Sequence, residues 1–254
     1  MNKKEEVAIQ VEDLQPGLSI DCVIFGFHEN ELKVLLLRLK NSDIWALPGG
    51  FVNKEIDVDQ EAIHVLKNRT GLESIFLHQF HLFGSVSRNN TYHTNHLIEQ
   101  KLLDPNLKEW FAQRFVTVGY YALVEYSKVE EPTPDLLSEA CEWCAINDLP
   151  NLMLDHKDII LEAHATLKKE LNHQPIGLNL LPEKFTIPEL QSLYETVLEK
   201  KLDRRNFRRK MLGYDILIQT NEKRTGVAHK APDLYKFDQE KYHLAISQGF
   251  KSGW

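Results

Sequence analysis

Leu47-Pro48-Gly49-Gly50-Phe51-Val52 opens the most diagnostic run of the chain, which continues through a polar segment to Leu66 and closes on Thr70-Gly71-Leu72. A glycine loop thus leads into a segment predicted helical from Asp57 to Arg69, and Gly71 ends it before an apolar residue. Upstream, Leu18 to Phe27 is a near-continuous apolar run ended by Glu29-Asn30, and Leu32 to Leu39 is another. They read as a hairpin of buried strands. Downstream, Ile75–Val86 reads as a strand, and Arg88-Asn89-Asn90-Thr91-Tyr92-His93-Thr94-Asn95-His96 as a polar loop. Phe115–Val124 is the most convincing strand, Pro132 and Pro134 punctuate the next loop, and Glu142–Ile146 is a further strand. Asp155 then opens a helix to about Leu171, with Ile159, Ile160, Ala163, Leu167 and Leu171 at helical spacing.

The frame from Leu47 to Leu72 resembles the Nudix box. Gly50 and Gly71 keep its spacing, and Leu66 and Leu72 fill its apolar positions. In that family one loop glutamate and several helix glutamates hold Mg²⁺ against a diphosphate, because hard cations need oxygen ligands at close range. Here the loop position is Ile56, the Arg-Glu pair is His64-Val65 and the later Glu-Glu pair is Asn68-Arg69. None of the metal-binding carboxylates stands at its place, and Arg69 puts a cation where an ion would sit. Asp57, Asp59 and Glu61 precede those positions along the helix and do not substitute for them. The resemblance therefore implies the fold without the hydrolysis: no catalytic residue, no metal and no cofactor. Trp143, Leu149-Pro150, Leu154-Asp155-His156 and Ile159-Ile160 also resemble the end of Nudix domains of the ADP-ribose-handling kind. The likeness covers roughly the first 170 residues, a normal domain size.

The chain of 254 residues is 43% hydrophobic and 26% charged, ordinary for a soluble globular protein. No apolar run approaches the roughly 20 residues that span a bilayer, and the N-terminus does not read as a signal peptide. Three cysteines, Cys22, Cys141 and Cys144, make no disulfide framework, so a reducing cytoplasm is the expected location. Cys141-Glu142-Trp143-Cys144 is a lone pair on a predicted strand, short of the four ligands that zinc takes. Charge is unevenly spread. Residues 1–177 hold 16 Lys and Arg against 27 Asp and Glu, a balance of −11, whereas residues 178–254 hold 14 against 10, a balance of +4. A basic C-terminal segment on an acidic body suggests that one end meets a polyanion.

That segment begins after a boundary at Asn172–Pro175 and Gly177, so the expected division is 1–172 and 173–254. Thr186-Ile187-Pro188-Glu189 is a capping box, and the helix behind it puts Leu190, Leu193, Tyr194, Val197 and Leu198 on one face. Asp203 can cap a second helix, in which Phe207 and Met211 share one side while Arg204, Arg205, Arg208 and Arg209 occupy another. A helix, a turn and a second helix with arginines outside is what helix-turn-helix docking needs, since guanidinium forks reach phosphates and guanine edges. Asp215–Thr220 and Leu234–Phe237 would form a hairpin wing, with Lys223, Arg224, His229 and Lys230 near its tip.

With these residues in view, the whole chain resembles the Nudix-related transcriptional regulators, notably from Leu180 to Glu195 and from Arg205 to Met211. The resemblance implies an α+β chain: an N-terminal Nudix-like α/β/α sandwich with a mixed sheet and a C-terminal winged helix-turn-helix. It implies a homodimeric repressor of the group acting on NAD metabolism or arabinose use, bound to a palindromic duplex operator and answering to a small-molecule effector. The expected DNA contacts are Arg204, Arg205, Asn206, Arg208, Arg209, Lys210, Lys223, Arg224, His229 and Lys230. The expected effector residues are Phe51, Glu55, Arg69, Arg88, Asn89, Tyr120, Asp155 and His156, several of which could instead be structural: Asp155 as a helix cap, Tyr120 as core, Arg88 as a solvated cation. Loss of the metal and diphosphate ligands favours a sugar such as arabinose as effector, with ADP-ribose as the second choice. Two rival functions stay open: a pyrophosphohydrolase with non-standard metal ligands, and a module whose basic helix meets an acidic protein.

Overall fold

The computed structural model describes residues 10–72, 76–88, 91–129, 131–171, 177–226 and 231–248. Its N-terminal part is built on one mixed sheet. The first strand, β1 (Leu14–His28), turns through Glu29 and Asn30 into β2 (Glu31–Leu39). Both turn residues have positive φ, 52° and 62°, the twist that a two-residue hairpin requires. Two short strands, β3 (Trp45–Ala46) and β4 (Gly49–Asn53), lead to α1 (Val58–Thr70). Gly71, at φ 71°, ends that helix by donating its amide to the Lys67 carbonyl at 2.8 Å, a left-handed cap where glycine carries no Cβ penalty.

The edge strand β5 (Phe76–Phe83) pairs antiparallel with β6 (Val116–Val124), which runs parallel to β1 from Leu18↔Val116 to Gly26↔Val124. The strand β7 (Ser138–Ala145) pairs antiparallel with β2, and the path through the sheet is β3-β2-β1-β6-β5, with β4 on β1 and β7 on β2. Alternation along β1 and β6 sorts the core into two layers. Ile20, Cys22, Ile24, Val118, Tyr120 and Ala122 face Ala62, Val65 and Leu66 of α1. Val23, Phe25, Tyr121 and Leu123 face Ile159, Ile160, Ala163 and Leu167 of α4 (His156–Leu171). A sheet with helices on both faces is the expected α/β/α sandwich.

Two local expectations change. The predicted loop over 88–96 is largely helical, as α2 (Thr91–Glu99), followed by α3 (Lys108–Ala112). This insertion folds Leu97, Leu103 and Phe111 into a small core of their own with Phe51 and Trp110. The strand expected at Glu142–Ile146 starts earlier, at Ser138, because β2 offers it a partner from Leu39 onward. Asp155 stands just before α4, its carbonyl accepting the Ile159 amide at 3.0 Å, while its carboxylate bonds Arg88.

The C-terminal part holds α5 (Ile187–Leu198), α6 (Arg204–Gly213), the hairpin β8 (Leu217–Lys223) and β9 (Asp233–Phe237), and α7 (Gln239–Gln248). The capping box of α5 is complete: Thr186 Oγ1 accepts from the Glu189 amide at 3.3 Å, and the Thr186 amide donates to Glu189 at 2.7 Å. The turn before α6 is tied by Glu195, which accepts from the Leu202 amide at 2.8 Å and pairs with Lys201 at 3.1 Å. Phe207 and Met211 bury on the α5 side, Phe207 edge-on to Tyr194 with centroids 5.4 Å apart. Burial of such side chains is worth about 1.5–3 kcal/mol each. Phe185 and Tyr235 form a bridge that adds a short third strand to the wing. This is the winged helix-turn-helix. Its core is continuous with that of the sandwich, since α5 packs on α4 and β2.

Candidate functional site

Two sites emerge, one in each part of the chain. The first is a cavity of about 170 Å³ beside the glycine loop. Its walls are mostly apolar: Leu37, Leu47, Phe51, Phe115, Leu137 and Met153, among others. Its polar floor centres on Arg88, 5% exposed, which is no solvated cation. Arg88 Nη2 donates to Asp21 Oδ2 at 3.3 Å, Nη1 donates to Asp155 Oδ1, and Nε donates to the Phe115 carbonyl at 3.2 Å. Asp21 is 7% exposed, and its other oxygen lies 3.6 Å from His156 Nε2. His156 Nδ1 accepts the Leu47 amide at 2.8 Å, which fixes the neutral tautomer. Burial, above all, holds this imidazole below its ordinary range. Gly49 belongs here for a steric reason: a Cβ would lie 2.6 Å from the Ile20 carbonyl and 2.9 Å from Asp21 Oδ1.

Of the expected effector residues, Phe51, Arg88 and His156 line this cavity, and Asp155 anchors Arg88 from beside it. Glu55, Arg69 and Tyr120 lie elsewhere. Glu55 is exposed, its amide held by Asn53 Oδ1 at 2.8 Å. Arg69 Nη1 donates to the Thr133 carbonyl at 3.0 Å, so it braces a loop. Tyr120 faces α1 and donates to Asp59, and burial followed by that bond raises its phenol. Asn89 lies outside the described residues. Sequence reasoning missed Asp21, Phe115 and Asp135. Asp21 carried one signal, a lone carboxylate inside the apolar run from Leu18 to Phe27, where charges are rarely buried without a partner.

At the box positions, Val65 is buried beneath the loop, 3.5 Å from where a Gly50 Cβ would stand, and Asn68 is exposed. These side chains and Arg69 do not fit a divalent cation. Among the described residues no group of three or more His, Cys, Asp or Glu is placed to hold a metal ion. Cys141 and Cys144 are free thiols, pushed up by burial to about 12 and about 11. No described helix is long and apolar enough to cross a membrane.

The second site is the outer face of α6. Asp203 caps the helix by accepting the Asn206 amide at 2.9 Å. Arg204, Arg205, Arg208 and Arg209 are all exposed, and Lys210 is half-buried. Two of the arginines are pre-oriented: Arg208 Nη2 donates to the Tyr235 hydroxyl at 3.2 Å, and Arg209 Nη2 to Asn206 Oδ1 at 2.8 Å. Lys223 is exposed at the end of β8. Arg224 instead donates to both oxygens of Glu189, at 2.5 and 2.6 Å, locking the wing to the cap of α5. His229 and Lys230 lie outside the described residues.

Comparison with known proteins covers both sites. Residues 177–237 match the family described as the NrtR DNA-binding winged helix domain. The chain is 30% identical, over 235 residues, to the ADPR responsive transcriptional repressor NtrR of Acinetobacter baylyi, spanning 89% of this chain and 84% of that protein. Its structure resembles Shewanella oneidensis NrtR complexed with a 27mer DNA, with TM-score 0.72 and 26% identity over 93% of this chain and 99% of that one. A MutT/nudix family protein from Enterococcus faecalis shares the fold, with TM-score 0.62 and 23% identity over 88% of this chain and 87% of the other.

Proposed function

The chain belongs to the Nudix-related transcriptional regulators, and from that premise we propose that it is a DNA-binding repressor whose Nudix-like domain senses ADP-ribose. The observation that carries this reading is the near-full-length match to an ADPR responsive repressor, which spans both the cavity-bearing sandwich and the arginine helix. The sugar effector, the first expectation from the box, is set aside because that repressor is ADPR responsive. ADP-ribose takes its place. Hydrolysis is not proposed either, since Ile56, Val65, Asn68 and Arg69 offer no carboxylate where the family's ions sit.

In this reading the division falls at residue 172, the cavity around Arg88 and His156 receives the effector, and α6 enters the major groove. Arg204, Arg205, Asn206, Arg208, Arg209, Lys210 and Lys223 then contact phosphates and base edges. Arg224, engaged by Glu189, serves to set the wing. Two copies would bind a palindromic operator as a homodimer, each supplying one helix. Fluorescence anisotropy with duplexes taken from upstream of the protein's own and neighbouring operons tests the whole. The expected result is specific binding that ADP-ribose modulates at micromolar concentration and that arabinose and xylose leave unchanged. No specific duplex, or a response to a sugar alone, refutes it.

A further inference from the structure

The four arginines of α6 do not stand alike. Phe207 and Met211 set the buried side of the helix. At about 100° per residue, Arg205 and Arg209 point away from that side, while Arg208 stands on a flank, about a quarter-turn round from Phe207. Arg209 is bonded within its own helix, to Asn206. Among the described residues, Arg208 is the one arginine of the four that is bonded to another element: its Nη2 donates to the Tyr235 hydroxyl of β9 at 3.2 Å. Tyr235 is a rigid post. It is 2% exposed, pairs with Gln219 of β8 on one side, and on the other exchanges backbone bonds of 2.7 and 2.9 Å with Phe185.

A helix is about 10–12 Å across with its side chains, and the major groove is about 12 Å wide. The outward arc of a helix in that groove therefore faces base edges, and its flanks face the phosphates of either wall. Resting on the reading that α6 enters the groove, we propose that Tyr235 is a positioning residue that holds Arg208 against the phosphate wall on the wing side. The phenol takes a single N–H of the guanidinium and leaves the rest of the fork for phosphate oxygens. Ordering a free arginine on binding costs rotamer freedom, and a side chain already held by a buried phenol has less of it to lose. Phosphate contacts fix the register of a protein on the duplex without reading its sequence. Arg208 then sets how α6 lies, and Arg205, Asn206 and Arg209 are presented to the groove from that register.

Anisotropy titration of the full chain tests this, on the duplex it binds from upstream of its own or a neighbouring operon and on versions with single base pairs exchanged. Arg208→Ala should weaken every duplex by the same factor and lower the salt slope by about 0.9. Tyr235→Phe keeps the ring and the charge of Arg208, so it should weaken every duplex about 3- to 10-fold with the slope of the parent. In the Arg208→Ala background Tyr235→Phe should have no further effect, a result that a purely structural role in the wing would not give. Lost discrimination at one base pair in Arg208→Ala would make that arginine a base reader and overturn the proposal. So would a Tyr235→Phe chain that binds like the parent, or a loss that persists undiminished without Arg208. Arg208 is exposed, so its replacement by alanine leaves the fold intact, and that arm decides even if Tyr235→Phe unfolds. Failure of the parent chain to bind any duplex specifically is seen before any variant is made; it overturns the DNA-binding reading, and the proposal with it.

Discussion

Replacing Arg88 with leucine removes the one guanidinium that holds two carboxylates beside the cavity. The substitution keeps most of the buried stem volume and deletes the charge. Asp21 is then left 7% exposed with only His156 nearby, and Asp155, whose side chain is 23% exposed, loses its partner. Breaking a buried ion pair by removing one member costs about 3–5 kcal/mol, because the surviving charge has neither water nor partner. With urea m-values of about 1–3 kcal/mol per molar, the unfolding midpoint should fall by roughly 1–5 M. A second signature separates electrostatics from lost packing. In the variant a proton can replace the guanidinium on one carboxylate, so the folded state holds a proton that the unfolded chain does not, and acid favours folding. The gap to the parent protein should therefore narrow by up to about 1.4 kcal/mol per pH unit between pH 7.5 and 5. Urea unfolding followed by tryptophan fluorescence at both pH values measures this. A loss below about 1 kcal/mol at pH 7.5, or an equal loss at both, refutes the account of the cluster.

Arg205→Ala with Arg209→Ala should weaken duplex binding and lower the salt slope by about 0.9 for each phosphate no longer neutralised, leaving ADP-ribose titration unchanged; an unaltered slope would remove α6 from the interface. Thr186→Ala should cost about 1 kcal/mol by stripping the cap of α5, measured by thermal unfolding. His93, His156 and His164 are each held below the ordinary imidazole range, first of all by burial. Groups depressed in the folded state add stability above about pH 6.5 that is lost as pH falls through the folded value. The melting temperature of the parent protein should therefore decline from pH 7.5 to 5.5, and a flat profile would contradict the burial seen for these rings.

What could be read from sequence follows the range of the interactions. Local devices were legible: the Thr186–Glu189 box spans four residues, the Glu29-Asn30 turn two, and the Phe207/Met211 face one helical turn. Strands β1 and β6 were legible because both faces are buried, which leaves long apolar runs. Helix α2 was not, since Thr91-Tyr92-His93-Thr94-Asn95-His96 combines weak helix formers with polar side chains. It is held by tertiary packing of Leu97 and Ile98 in the small core around Phe51. Arg88, Asp155 and His156 were expected near the site, but how they pair with one another and with Asp21 was invisible for the same reason. Arg88 lies 67 residues from each of its aspartates, and no periodicity reports a pairing at that distance. The Arg224–Glu189 lock, 35 residues apart, likewise turned an expected DNA contact into a wing anchor.

The two elements that carry the floor also carry the junction with the DNA-binding part. His156 begins α4, and His164 in the same helix bonds the Val197 carbonyl of α5 at 3.2 Å, about 12 Å further along at 1.5 Å per residue. Lys168, one turn on, pairs with Glu199 just after α5. Asp21 lies on β1, and the hairpin that ends β1 places Asn30 against the same helix, accepting Ser192 Oγ at 2.6 Å and Thr196 Oγ1 at 3.1 Å. Helix α5 in turn fixes the turn to α6 through Glu195. On the proposed reading, a ligand that displaces Asp21 or His156 has two paths to α5, one along α4 and one along β1. Linkage requires the effect to be reciprocal, so operator DNA must change ADP-ribose affinity by the factor that ADP-ribose changes operator affinity. Ser192→Ala with Thr196→Val removes both bonds to Asn30 without touching the cavity or the arginines. Each ligand should bind the variant alone with unchanged affinity, while the mutual factor moves toward one. A factor identical to the parent's would show that the hairpin tip carries none of the coupling and leave it to the packing of α5 on α4 and β2.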